Sequence, residues 1–180
     1  MGYEIDFLAV GEKKSGDAIC IRWGNLHGSR DEQKVVVIDA GYASTGEQVI
    51  EHIEKYYRTK TIDLLISTHP DGDHVGGLTS VLENAEVKEF WIHKPWEHNQ
   101  GLASEFADGR ITDASIANRM KENLQKAYDA VKLAEKKGIE TCIKACSVLL
   151  SMGVDFEYHI IGDGPEKSKL TNLSHSMGLG

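Results

Sequence analysis

The stretch LLISTHPDGDHVGGL, residues 64–78, decides how the rest of the chain is read. An apolar strand runs straight into His69, Asp71, Asp73 and His74, and then into Gly76 and Gly77. Two imidazoles and two carboxylates crowded into six residues repel or desolvate one another unless something positive sits between them. Along extended chain, residues 69, 71 and 73 project to one side, and His74 turns in at the start of the next helix. Mixed nitrogen and oxygen donors of this kind suit zinc, manganese or ferrous iron. The glycine pair lets backbone pass close by and start a helix, whose N-terminus would also favour an anion. A solvated Asp-Gly turn is the plainer alternative. The cluster's place at the end of a strongly apolar strand weighs towards a site, because layered α/β folds put their chemistry there. An EF-hand calcium loop fits poorly, since its spaced acids and terminal glutamate are missing.

Working outward, YEIDFLAV (3–10) alternates, with Tyr3, Ile5 and Phe7 on one face. DAICIRWG (17–24) alternates again, setting Cys20 and Arg22 against Ile19, Ile21 and Trp23. VVVIDAG (35–41) is a continuous apolar run suited to a strand covered on both faces. A helix follows, with Ser44 and Glu47 in a capping-box pattern and Val49, Ile50, Ile53 and Tyr57 at helical spacing. Beyond the cluster the pattern predicts a short helix from Val75, a strand over 87–95 and a long helix from Asp113 to Lys137, stopped by Gly138. A second helix over 140–152 and a strand over VDFEYHIIG (154–162) complete the expectation. The tail carries little apolar periodicity.

Composition bounds the function. A length of 180 residues allows one domain with a sizeable core, so residues 1–180 are taken as a single domain. A formal charge of −8 argues against nucleic-acid binding through the overall field, although bound cations can supply positive charge locally. No apolar run is long enough to cross a bilayer, and the acidic N-terminus is unlike a signal peptide. Three cysteines, Cys20, Cys142 and Cys146, fit a reducing compartment better than a disulfide scaffold, so a cytoplasmic location is expected.

STHPDGDHVGGL resembles the signature of the metallo-β-lactamase superfamily, His-x-His-x-Asp-His followed by glycines. With IDFLAVGEKKSGDAICIRWG and VVVIDAG ahead of it, the chain is similar over residues 3–95 to the hydrolase domain of DNA-internalisation competence proteins. The resemblance implies an α/β fold of the αββα sandwich type, as its N-terminal portion or a minimal version. It implies two divalent metal ions, zinc or manganese: His69 and Asp71 would bind the first, Asp73 and His74 the second. Asp73 would also orient the hydrolytic water. Asp39 matches an acid that supports the site from the neighbouring strand; capping the turn after that strand accounts for it equally well. Asp71 stands where the family usually has a second histidine, which implies weaker discrimination for zinc and better tolerance of manganese.

Family members draw a bridging aspartate and a last histidine from later in the chain. Asp163 in IIGDG and His175 in NLSHSMG are the candidates, but their spacing is short. The expectation is therefore that the chain stops before the second half of the fold, as a fragment or as a subunit that a partner chain completes. The activity implied is metal-dependent hydrolysis of a phosphodiester, with nucleic acid among the substrates. Hydrolysis of an ester, thioester or lactam by the same metals, and a non-catalytic metal-binding module, are the alternatives.

The remaining residues are read blandly. His93 and His98 flank a loop over a packed Trp96, with a substrate contact as the rival reading. His27, His52 and His159 show no partner pattern. Cys142 and Cys146, four apart on a helix, read as buried small hydrophobes rather than half of a zinc clamp.

Overall fold

A computed structural model describes residues 1–11, 16–107, 109–160 and 166–179. They fall into two compact units, Met1–Val131 and Lys132–Gly180.

The first unit is built on a mixed five-stranded sheet. Strands β1 (Gly2–Phe7), β2 (Ile19–Gly24) and β3 (Gln33–Ile38) form an antiparallel meander. Helix α1 (Ala43–Tyr57) then carries the chain across one face. The apolar segment ahead of the signature, TIDLLIS (61–67), is broken at Asp63 into β4 (Thr61–Ile62) and β5 (Leu64–Ser67). The break is fixed by a contact with β3: the Asp63 amide donates to the Val35 carbonyl, and its carboxylate takes the Val35 amide at 2.9 Å. β5 lies parallel to β3 in the main sheet, whereas β4 leaves it to pair with β6 (Glu86–Val87). One helical turn, α2 (Gly72–Val75), and α3 (Leu78–Asn84) precede β6, and β7 (Phe90–Ile92) closes the main sheet in parallel with β5. The spatial order is β1-β2-β3-β5-β7.

The sheet's two faces differ. Cys20, Val35, Val37 and Leu65 have no exposed surface and lie with Val49, Ile53 and Tyr57 of α1 and Leu78 and Val81 of α3. Burying each such aliphatic side chain stabilises the fold by about 1.5–3 kcal/mol, so this layer is the core. The opposite face carries Tyr3, Ile5, Phe7, Trp23 and Trp91, all exposed, as the alternation of β1 and β2 predicts.

Several expected boundaries move. α1 does not start on a Ser44 cap: Tyr42 precedes its first turn without a side-chain bond, because Gly41, at φ 59°, already turns the chain there. Asp73 sits on the helical turn of α2 rather than on extended chain, while His74 lies in that turn as expected. The long helix splits at Leu124, not at Gly138, into α4 (Asp113–Asn123), capped by Thr112, and α5 (Gln125–Ser151). Gly138 stays helical, with open space where a Cβ would stand. Flanked by good helix formers, its cost of about 1 kcal/mol against alanine is too small to end the helix.

The second unit holds most of α5 and a helix the sequence pattern did not predict, α6 (Lys167–Ser176). Of the strand expected over 154–162, residues 161 and 162 lie outside the described residues; 154–160 carry the alternation but form no strand, Val154, Tyr158 and Ile160 are exposed, and no neighbouring strand among the described residues supplies a ladder. Cys146 is buried as expected, while Cys142 is exposed. Among the described residues no helix is long and apolar enough to cross a membrane.

Candidate metal centre

The site forms where β3 and β5 end side by side. Asp39 follows β3 directly, and its amide donates to the Ile66 carbonyl, extending the parallel ladder by one bond. It then adopts φ 56°, a left-handed conformation that aspartate tolerates better than most residues. That turn leaves its carboxylate 1% exposed beneath the signature loop.

Gly76 and Gly77 belong to the scaffold. A Cβ on Gly77 would lie 2.3 Å from the Ala40 carbonyl oxygen and 2.7 Å from the Gly46 nitrogen. The Ala40 amide donates to the His74 carbonyl and the Gly77 amide to the Gly41 carbonyl, so the loop after β3 and the signature loop are bound backbone to backbone.

Asp39 accepts three hydrogen bonds. The Thr68 amide reaches Oδ1 at 2.8 Å, while the Thr68 hydroxyl at 2.5 Å and His74 Nδ1 at 2.9 Å both reach Oδ2. Proton bookkeeping then fixes both imidazoles. A carboxylate only accepts, so His74 donates from Nδ1, which in the neutral ring leaves Nε2 bare and free to meet a cation. The single hydroxyl proton of Thr68 is given to Asp39, so Thr68 Oγ1 accepts from His69 Nδ1 at 2.9 Å, and His69 Nε2 is bare as well. The two rings lie against each other, centroids 3.8 Å apart.

Each bare nitrogen faces a carboxylate of the signature. His69 Nε2 stands 3.7 Å from Asp71 Oδ2, and His74 Nε2 stands 4.0 Å from Asp73 Oδ2. These separations are too long for hydrogen bonds. Two ligands about 2.0–2.2 Å from a shared ion at a tetrahedral angle would be roughly 3.3–3.6 Å apart, so a small closure suffices. The residues therefore fit a divalent cation. Asp39, His69 and His74 also offer ligand atoms within 4.8 Å of one another. The three donors on Asp39 suit it to holding His74 rather than to ligating directly.

Of the four signature residues, buried His74 and His69 join Asp39 in the cluster that could hold a metal among the described residues, whereas Asp73 and the largely exposed Asp71 border it without belonging to it. Two contributors were not predicted. Thr68 ties Asp39 to His69; a hydroxyl beside the first histidine was its only sequence signal. Asp17, ahead of β2, places Oδ2 3.8 Å from His74 Nδ1, and nothing in its local sequence marked it. Of the suggested later ligands, Asp163 lies outside the described residues, and His175 is on α6, outside the potential metal-holding cluster found among the described residues. His93 and His98 stack at 5.3 Å beside Trp96, which is buried edge-on against Tyr128.

Comparison with known proteins agrees with this geometry. The family model of the metallo-beta-lactamase superfamily matches residues 29–141, most of the chain and all of the signature loop. The chain belongs to that superfamily. Its mixed sheet and helices are consistent with the fold, and membership suggests a metal-dependent hydrolase. A search of curated proteins found no match.

Proposed function

We propose that the chain is a hydrolase domain whose His69, Asp71, Asp73 and His74 hold divalent cations, zinc or manganese, and that it cleaves phosphodiesters, nucleic acid among them. The observation that carries this reading is the pair of Nε2 atoms, each facing a carboxylate across a gap suited to a shared ion. A divalent cation supplies Lewis acidity and makes water nucleophilic near neutral pH.

The chain's own residues do the rest. Asp39 and Thr68 hold both imidazoles in the one tautomer that can ligate. Asp73, 29% exposed on its side chain, is open enough to orient a water and take its proton. Lys126, at the start of α5, places Nζ 3.5 Å from where a side chain on Gly72 would begin, beside the Asp71–Asp73 turn. A cation there favours an anionic substrate such as a phosphodiester over a neutral ester or lactam. The kinship with competence-protein hydrolase domains belongs to the same proposal.

Elemental analysis of the metal-loaded protein, paired with cleavage of a bis-aryl phosphodiester in manganese and in zinc, tests it. Bound metal and a rate that falls about 10³-fold in Asp73→Ala are expected. Undiminished cleavage by that variant overturns the mechanism. Bound metal with turnover of esters but not phosphodiesters transfers the site to ester chemistry, and bound metal with no turnover leaves a metal-binding module.

A further inference from the structure

The opposite end of β3 holds a second feature. Between the hairpin of β2 and β3 and the C-terminus of α1 lies a cleft of about 440 Å³. Arg22, His27, Arg30 and Arg58 line it, with Tyr56 and Tyr57 as aromatic walls, and no carboxylate lines it among the described residues. In a chain of net charge −8 this concentration of cations is unexpected. The acids nearby are already engaged. Glu4 pairs with Arg22, Asp63 is shared by Arg30, Lys34 and Lys88, and Glu32 accepts from Asn25 and Ser29.

Two observations show that the cations are not all there for the fold. Arg58 has no ion-pair or hydrogen-bonding side-chain partner among the described residues, yet it occupies a left-handed helix cap, φ 54°, where glycine or asparagine would be unstrained. A charged residue kept in that conformation points to a use for its side chain. The Nε–H of Arg30 is buried without a hydrogen-bond partner, an unmet donor at a cationic cleft. His27 is exposed and likewise unpaired among the described residues.

We propose that this cleft binds a phosphate monoester, with Arg58 and His27 closing on the phosphate and Arg22 and Arg30 forming the base. Tyr56 stands exposed at the rim, its ring already met by Lys55 Nζ at 4.9 Å and by the His52 ring at 4.8 Å. β3 separates the cleft from Asp39 by about 20 Å, at roughly 3.3 Å per residue, so the two sites do not share a ligand.

The test uses the full zinc-loaded chain, titrated with inorganic phosphate and with AMP while backbone amide resonances are followed. Saturable shifts at Gly28 and Tyr57 are expected. Arg58→Gly removes the charge and relieves the backbone together. It should weaken binding about tenfold while raising the Tm by about 2 °C. Lys144→Gln, an equal loss of charge on exposed α5, should leave binding unchanged. Tighter AMP than phosphate identifies an organic phosphate as the ligand, and equal affinities identify free phosphate. Absence of shifts, shifts confined to residues 69–75, undiminished binding by Arg58→Gly, or equal weakening by Lys144→Gln each overturns the proposal. The Gly28 signal does not depend on whether the metal centre hydrolyses anything, so the two readings fail separately.

Discussion

Asp39 and Asp63 sit at opposite ends of the same strand pair, both largely buried, and their surroundings are opposite. Asp63 is enclosed by charge: Arg30 at 3.0 Å, Lys88 at 2.9 Å and Lys34 at 3.3 Å, besides the Val35 amide. Burial alone would raise its pKa, but the Val35 amide and these three cations outweigh that and hold it well below the usual carboxylate range. Asp39 receives the two donors of Thr68 and the imidazole of His74, and no lysine or arginine pairs with it among the described residues. Asp17, Asp71 and Asp73 add further negative charge around His74 and His69. One carboxylate is neutralised within the fold. The other is bonded to His74 of the candidate metal cluster, and that difference separates the two carboxylates: one compensated by cations, the other orienting an imidazole.

The largest effect should come from backbone packing at the Asp39 end. Gly77→Ala drives a Cβ into the Ala40 carbonyl and the Gly46 backbone, neither of which can move aside like a flexible side chain. A loss of about 3 kcal/mol or more is expected in urea unfolding. A loss under 1 kcal/mol would show that the glycine pair does not clamp the two loops. Next comes Asp39→Asn, which keeps the shape but loses the acceptor that fixes the His74 tautomer. Metal affinity should fall 10- to 100-fold in competition with a chromogenic chelator. Unchanged affinity would remove Asp39 from the site.

Asp63→Asn is the counterpart and should leave metal affinity alone. It removes the acceptor of three cations and should cost about 2 kcal/mol of stability. The sign of its pH dependence is fixed. Because the folded pKa is depressed, Asp63 contributes stability that is fully present above the unfolded value near 3.9 and drains away as the pH falls through it towards the folded value. The stability gap between wild type and Asp63→Asn should therefore hold from pH 5 to 8 and narrow below pH 4. A gap that widens on acidification would mean that Asp63 is not the compensated carboxylate described.

The functional end was the more legible of the two. The signature loop announces itself because metal ligands must be drawn from a few residue types, and spacing alone collects four of them. Strand faces were legible where alternation met a one-sided sheet, as in Cys20 and Arg22 against Ile21 and Trp23. The break at Asp63 was hidden, because it depends on a contact with Val35 far away in sequence. Gly138 misled because a glycine ends a helix only where the chain beyond it turns away, and here helix-forming residues continue on both sides. The strand expected over 154–162 does not form over its described part, 154–160, for a related reason: alternation shows that a segment can pair, not that a partner is present.

Thr68 gives the finest discrimination, since among the described residues its hydroxyl links Asp39 to His69. Thr68→Val keeps the shape and the backbone amide that donates to Asp39 Oδ1, but deletes the hydroxyl that bridges Asp39 Oδ2 and His69 Nδ1. His74 keeps its own bond to Asp39, so only His69 loses the neighbour that fixes its tautomer. The expected outcome is metal affinity lowered about fivefold, less than for Asp39→Asn, with stability within about 1 kcal/mol of wild type. Nitrogen chemical shifts separate the rings: His69 should become a mixture of tautomers while His74 keeps its proton on Nδ1. Should both rings change together, the two histidines are held by something other than the Thr68–Asp39 pair, and the distinction between the two ends of β3 loses its chemical basis.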